Sequence, residues 1–206
     1  MPGEYDELYV VAREVLLDAL EALGAHRSSI ALVGAQAIYL RTGEADLAVA
    51  PYTTDGDLVV DPSLLGKIPP LERALGQAGF APSSASSVGI WKTNRTTSSG
   101  DVIPVEVDLL VPRSVSQGKG RRDAALEGHA ARTARIANGL ECTLVDHDEM
   151  EIAALREADD RRLRVRVGAR PGSSSRRRSS STSAGQTRIA GGHARACPLL
   201  MDKRVC

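Results

Sequence analysis

The sequence predicts an α+β domain, a mixed β-sheet flanked by helices, followed by a disordered Arg/Ser-rich C-terminal tail. Three observations carry this. Short apolar runs with period-two alternation recur between Ile30 and Val167 and read as strands. Between them, other stretches repeat apolar residues at helical spacing. From Gly168 the sequence has no sustained period and almost no large apolar residue until Leu199, a composition that buries too little surface to order itself. The expected division is therefore a domain over 1–167 and a low-complexity tail over 168–206.

The elements follow in order. Tyr5 to Leu23 reads as a helix, because Leu8, Val11, Val15, Ala19 and Leu23 recur on one face. Glu7, Glu14, Asp18 and Glu21 take the opposite face, which reads as solvated, and Gly24 is the expected stop. Ile30 to Val33 is a short strand, Gly34 a turn and Ala35 to Arg41 a short helix. After a loop comes a strand that carries Asp55 and Asp57. Ser63 to Gly79 is helical in character, with the regular part starting at Pro69–Pro70, since Pro suits a first turn. Ser83 to Ser87 is a polar loop, Ser87 to Lys92 a strand, and Asn94 to Gly100 the turn of a hairpin. Val102 to Val111 alternates most clearly, with Glu106 and Asp108 on one face and Val105, Val107 and Leu109 on the other. Val115 to Arg122 is a Gly-rich basic loop without a phosphate-loop pattern around it, and reads as solvated. Asp123 to Ala134 is Ala-rich and compatible with a helix. Leu140 to Asp146 and Arg162 to Val167 alternate like strands.

Composition excludes several classes. Aromatics are 3% of the chain, so the core rests on Leu, Val, Ile and Ala. No run approaches the roughly 18 apolar residues of a membrane helix, and the acidic start MPGEYDELYV lacks a signal-peptide pattern. The expected location is cytoplasmic, with no membrane partner. Cys142, Cys197 and Cys206 show no metal-type spacing, and an odd, sparse set reads as reduced thiols. The tail from Gly168 holds eight of the 26 basic residues but one of the 26 acidic ones, so the body carries a net −7 and the tail +7.

The chemistry centres on Asp55 and Asp57. Residues two apart on a strand share a face, and two ionised carboxylates side by side favour a divalent cation between them. The competing reading is an Asp-Gly hairpin turn, against which Leu58-Val59-Val60 continues directly as a strand. Asp108 supplies a third acid on another strand, with Glu106 as its rival. Gly34 lets the backbone approach a ligand without a Cβ, and a helix N-terminus suits phosphate. The run Asp146 to Glu149 reads as a charged loop.

The order of apolar strand, Gly turn, short helix and Thr54-Asp55-Gly56-Asp57 resembles the polymerase-β-like nucleotidyltransferases. Within them it is most similar to the small bacterial members related to abortive-infection toxins. The resemblance spans roughly Ser29 to Pro112. It implies a nucleotidyltransferase-like sheet and catalytic, metal-holding roles for Asp55, Asp57 and Asp108. Mg²⁺ or Mn²⁺ is the implied cofactor and an NTP the implied donor. Gly34, Ala35, Gln36 and Thr54 would contact the nucleotide, Gln36 standing where the family has Ser or Thr. The implied acceptor is an RNA end, a protein hydroxyl or a small molecule, and the chain would be the toxin partnered by an antitoxin protein. The departure at Ala35 and Gln36 supports an alternative, a weakened or inactive relative that binds nucleotide or a partner. A third reading is a nucleic-acid binder acting through its basic tail, although that tail has no aromatics for base stacking.

Relatives in that family continue with an apolar helix and a later Lys and Asp. Here Lys203 is the only lysine beyond Lys119. One codon choice for Arg170 to Arg177, read one base over, gives Gly-Pro-Ala-Ala-Leu-Leu-Val, a Pro-led helix start. A shifted reading frame and a genuine Arg/Ser tail both remain open. Either way the expectation is a missing helical layer, exposed apolar surface on the body and weak activity.

Overall fold

A computed structural model of the protein describes residues 6–42, 53–118 and 122–168. The expected tail lies outside these residues, as do the centre of the basic loop and most of the loop before Asp55. The architecture is α+β, built on one open, mixed sheet. Its elements are α1 (Glu7–Ala22), β1 (Ile30–Val33), α2 (Gly34–Thr42), β2 (Asp55–Val60), α3 (Leu71–Gln77), β3 (Ala81–Pro82), β4 (Ile90–Thr96), β5 (Val102–Pro112), β6 (Arg135–Ala137), β7 (His147–Ala153) and β8 (Arg162–Gly168). The strand order is β3-β4-β5-β2-β1-β8-β7, and β6 pairs with β5 beside the end of β4. β2–β5, β1–β8 and β5–β6 run parallel, and the other pairs antiparallel.

One face of the sheet carries the core. α1 lays Val11, Val15, Leu16 and Ala19 against Leu58, Val60, Val105, Val107 and Leu109, all buried. Asp6 caps α1 by accepting from the Leu8 amide at 2.8 Å. Gly56 belongs to this face, where an added Cβ would meet Leu16 Cδ1 at 3.1 Å. Asp55-Gly56-Asp57 is thus the start of a continuous strand and not a hairpin turn. The acids of α1 are not simply solvated. Glu7 and Glu14 pair with Arg156, Asp18 with Arg95 and Arg161, and Glu21 with Arg161.

Three local expectations are corrected. Residues 123–134 form turns in place of a helix, because Ala125 (φ 49°), Gly128 (φ 85°) and Arg132 (φ 70°) hold left-handed backbone. Glu141–Leu144 is a short 3-10 turn in place of a strand. The charged run from Asp146 to Glu149 enters β7, an edge strand. Among the described residues the exposed large apolar side chains are Ile38, Leu64, Ile68, Val102 and Val145. On the second face of the sheet Val33, Val59 and Leu110 are buried under Ala137, Leu140 and Leu144. No helix among the described residues is long and apolar enough to cross a membrane.

Candidate functional site

The second face of the sheet collects the acids. In the parallel β2–β5 register Asp55 lies opposite Glu106 and Asp57 opposite Asp108. Register partners share a face, so all four carboxylates stand on the side away from α1. Asp55 and Glu106 are both near enough to Asp108 to raise its pKa. The sequence yields three of these residues by alternation and offers Glu106 only as a rival. The parallel register brings it in as well.

Gly34 fixes the end of the site. It has φ +70° and links β1 directly to α2, and a Cβ built on it would lie 2.1 Å from Oδ2 of Asp57. The Asp57 carboxylate therefore lies against the backbone at the start of α2, an approach that only glycine permits. Thr53 donates from Oγ1 to Asp55 at 2.6 Å, which orients that carboxylate. Thr54 is exposed beside it, and Ala35 is partly buried in the first turn of α2. Gln36 does not fit its expected role. It is 1% exposed and its carbonyl accepts from Arg13 Nε at 2.9 Å, so the side chain enters the core under α1.

Asp108 is only 8% exposed. Burial pushes its pKa above the ordinary carboxylate value, the Arg135 guanidinium opposes that, and the charges of Asp55 and Glu106 add to the rise. Arg135 comes from β6 and donates through Nη2 to Asp108, while its Nε is buried without an acceptor. Gly89 positions this arginine. It has φ +70°, its amide donates to Arg132 at 2.9 Å, and an added Cβ would lie 2.4 Å from the Arg135 nitrogen. Ser83 donates to Glu106. Lys92 stands opposite Glu106 in the β4–β5 register, and its side chain forms no hydrogen bond or ion pair among the described residues. Sequence reasoning missed Arg135, Lys92, Ser83 and Thr53. Their roles depend on register and on loop docking, which local pattern does not encode.

An all-oxygen donor set of carboxylates suits Mg²⁺ or Mn²⁺. Yet among the described residues no group of three or more His, Cys, Asp or Glu is arranged to hold a metal ion. Asp108 instead neutralises Arg135. The set fits an ion that takes one or two carboxylates and completes its shell from substrate phosphates. Asp55 and Asp57 are the residues that would hold such an ion. Comparison with known proteins finds no matching family model, no matching curated protein and no matching solved structure.

Proposed function

We propose that the protein is a metal-dependent nucleotidyltransferase of the polymerase-β-like kind, which moves a nucleotidyl group from an NTP to a hydroxyl acceptor. The observation that carries the reading is the β2–β5 register, with Asp55, Asp57, Glu106 and Asp108 on one face and Asp57 against the Gly34 turn. In this reading Asp55 and Asp57 hold Mg²⁺ or Mn²⁺, and the ion would supply charge neutralisation on the phosphates. Gly34 admits the triphosphate to the start of α2, whose free amides suit an anion. Lys92 and Arg135 offer cationic contacts to phosphate oxygens. Asp108, buried and with a raised pKa, is the group suited to accept the proton of the attacking hydroxyl. It must first exchange its Arg135 partner. A cytoplasmic toxin held by an antitoxin protein is the setting this reading implies, with an RNA end, a protein hydroxyl or a small molecule as acceptor.

A second reading is a nucleotide- or partner-binding relative without transfer activity. It is favoured by the Asp108–Arg135 pair and by the burial of Gln36. Incubation with each α-labelled NTP, Mg²⁺ or Mn²⁺ and total RNA, beside calorimetric NTP titration, separates the two. Transfer that vanishes in Asp57→Asn supports the enzyme. Metal-dependent NTP binding without transfer to RNA, protein or solvent-borne hydroxyls supports the second reading. Absence of NTP binding refutes the enzyme and leaves only the partner-binding form of the second reading.

A further inference from the structure

Beside the middle of β8 lies a cleft of about 410 Å³ lined by Gly24, Ala25, Arg27, Ser28, Glu149 and the Arg164–Arg166 segment. Strand alternation sends Val165 into the core and leaves Arg164 and Arg166 on the outer face. Arg166 lies opposite Glu149 in the β7–β8 register and donates to the Ser28 carbonyl, which pins its guanidinium at the cleft wall. Arg164 lies opposite Glu151, but Glu151 is taken by Arg162 at 2.9 Å. The side chains of Arg164 and Arg27 are left without a hydrogen bond or ion pair among the described residues. This contrasts with Arg13, Arg41, Arg95, Arg156 and Arg161, which are held by acceptors elsewhere in the fold. Unpaired guanidinia gathered on a body with net negative charge call for an external anion.

We infer that this cleft is a binding site for the phosphodiester backbone of a nucleic-acid strand. Arg164 and Arg166 are two residues apart on one strand face, roughly 6.6 Å along the backbone; Arg166, held on the Ser28 carbonyl, shapes the wall, and Arg164 and Arg27 are the guanidinia open to phosphate. Guanidinium forks match phosphate oxygens bidentately. No aromatic ring lines the cleft, so the contact is to backbone and not to stacked bases. An acidic peptide finds less here, since apart from Val165 the walls are glycine, alanine, serine and charged groups, and the adjoining apolar hollow lined by Leu20, Leu23, Ile30 and Leu163 holds only about 10 Å³, too little for an apolar anchor. The inference stands on these arginines and does not depend on the nucleotidyltransferase reading.

The test uses the full chain and a fluorescein-labelled oligouridylate. Phenylglyoxal modification, read by mass spectrometry at each arginine, locates the contact, and fluorescence anisotropy across a salt series measures it. Arg27 and Arg164 become protected, while Arg73, exposed on α3, does not. The Arg27→Ala/Arg164→Ala variant loses affinity and its log–log salt slope falls by about 1.4, two single-strand phosphate contacts at about 0.7 each. Arg73→Ala leaves the slope unchanged. The seven arginines beyond Gly168 are common to every variant and cancel in the difference. Equal modification of Arg27 and Arg164 with and without the oligonucleotide, or an unchanged slope in the double variant, overturns the inference. Stronger protection by polyglutamate of matched charge overturns it in favour of an acidic peptide.

Discussion

Gly34 and Asp57 form the tightest residue-level coupling in the site. A methyl group at Gly34 meets both the φ of +70° and the Asp57 carboxylate. Gly34→Ala is therefore expected to cost at least about 1–2 kcal/mol from left-handed backbone alone, and to displace Asp57. Chemical denaturation reads the first effect and metal-dependent NTP titration the second. Retained stability together with retained binding would refute the coupling. Asp57→Asn is expected to behave differently. It keeps the size of the side chain and removes its charge, so the fold is expected to persist while metal-dependent NTP binding is lost; intact binding would remove Asp57 from the site. Asp55, Asp57 and Asp108 were legible in the sequence because alternation along a strand is local. Arg135 was not, since it follows a stretch whose composition suggests a helix, and only the left-handed turns at Ala125, Gly128 and Arg132 bring it beside β5.

At the scale of elements, ends and faces are set by partners distant in sequence. α1 was legible from its apolar stripe, but its acidic face is held by Arg95, Arg156 and Arg161 from β4 and the β7–β8 connection. Pairing between residues some 140 positions apart leaves no periodic trace. α3 is similar. It has no side-chain cap of its own at Pro70. His129 serves instead, with Nδ1 accepting from the Leu71 amide at 3.0 Å and Nε2 donating to the Gly66 carbonyl at 3.1 Å. Only the neutral ring can do both. Burial is the main cause that lowers the pKa of His129 below its ordinary value, opposed by Glu72 and the Gly66 contact and assisted by His26, whose ring lies 5.9 Å away. The folded state thus binds fewer protons than the unfolded one. The stabilisation is fully present above the unfolded value and is lost as pH falls through the lowered folded value. It is worth about 1 kcal/mol, a single hydrogen bond at a half-exposed ring. Urea unfolding from pH 7.5 downward should show this loss in the wild type and a flatter profile in His129→Ala; parallel profiles would exclude the cap.

Across the whole molecule the sheet is continuous, but its strength is uneven. β4, β5 and β2 share long ladders, whereas β1 meets β8 only through Ala31–Arg166 and Leu32–Val167. The β7–β8 hairpin joins the acidic half of the sheet across that short parallel seam. Two arginines staple it. Arg41 at the end of α2 donates Nε to Gly168 at 2.8 Å, Nη2 to Val167 at 2.7 Å and Nη1 to Asp148 at 2.8 Å. Buried Arg13 of α1 reaches the Ala153 carbonyl at 3.1 Å. The two helices that cover the core thus also hold the far strands in register, which no reading of single segments could reveal. Loss of the Arg41 staple should free the hairpin before the rest of the sheet. Removing three hydrogen bonds that include a charged pair from a seam of two residue pairs lowers its local opening free energy, so Arg41→Ala is expected to raise amide exchange in β7 and β8 by at least about tenfold. Amides of β2 and β5, held in longer ladders, should change less. Exchange mass spectrometry distinguishes the outcomes. Selective acceleration at His147–Ala153 and Arg162–Gly168 identifies the hairpin as a separate opening unit, and acceleration shared equally with β2 and β5 shows that the sheet opens as one.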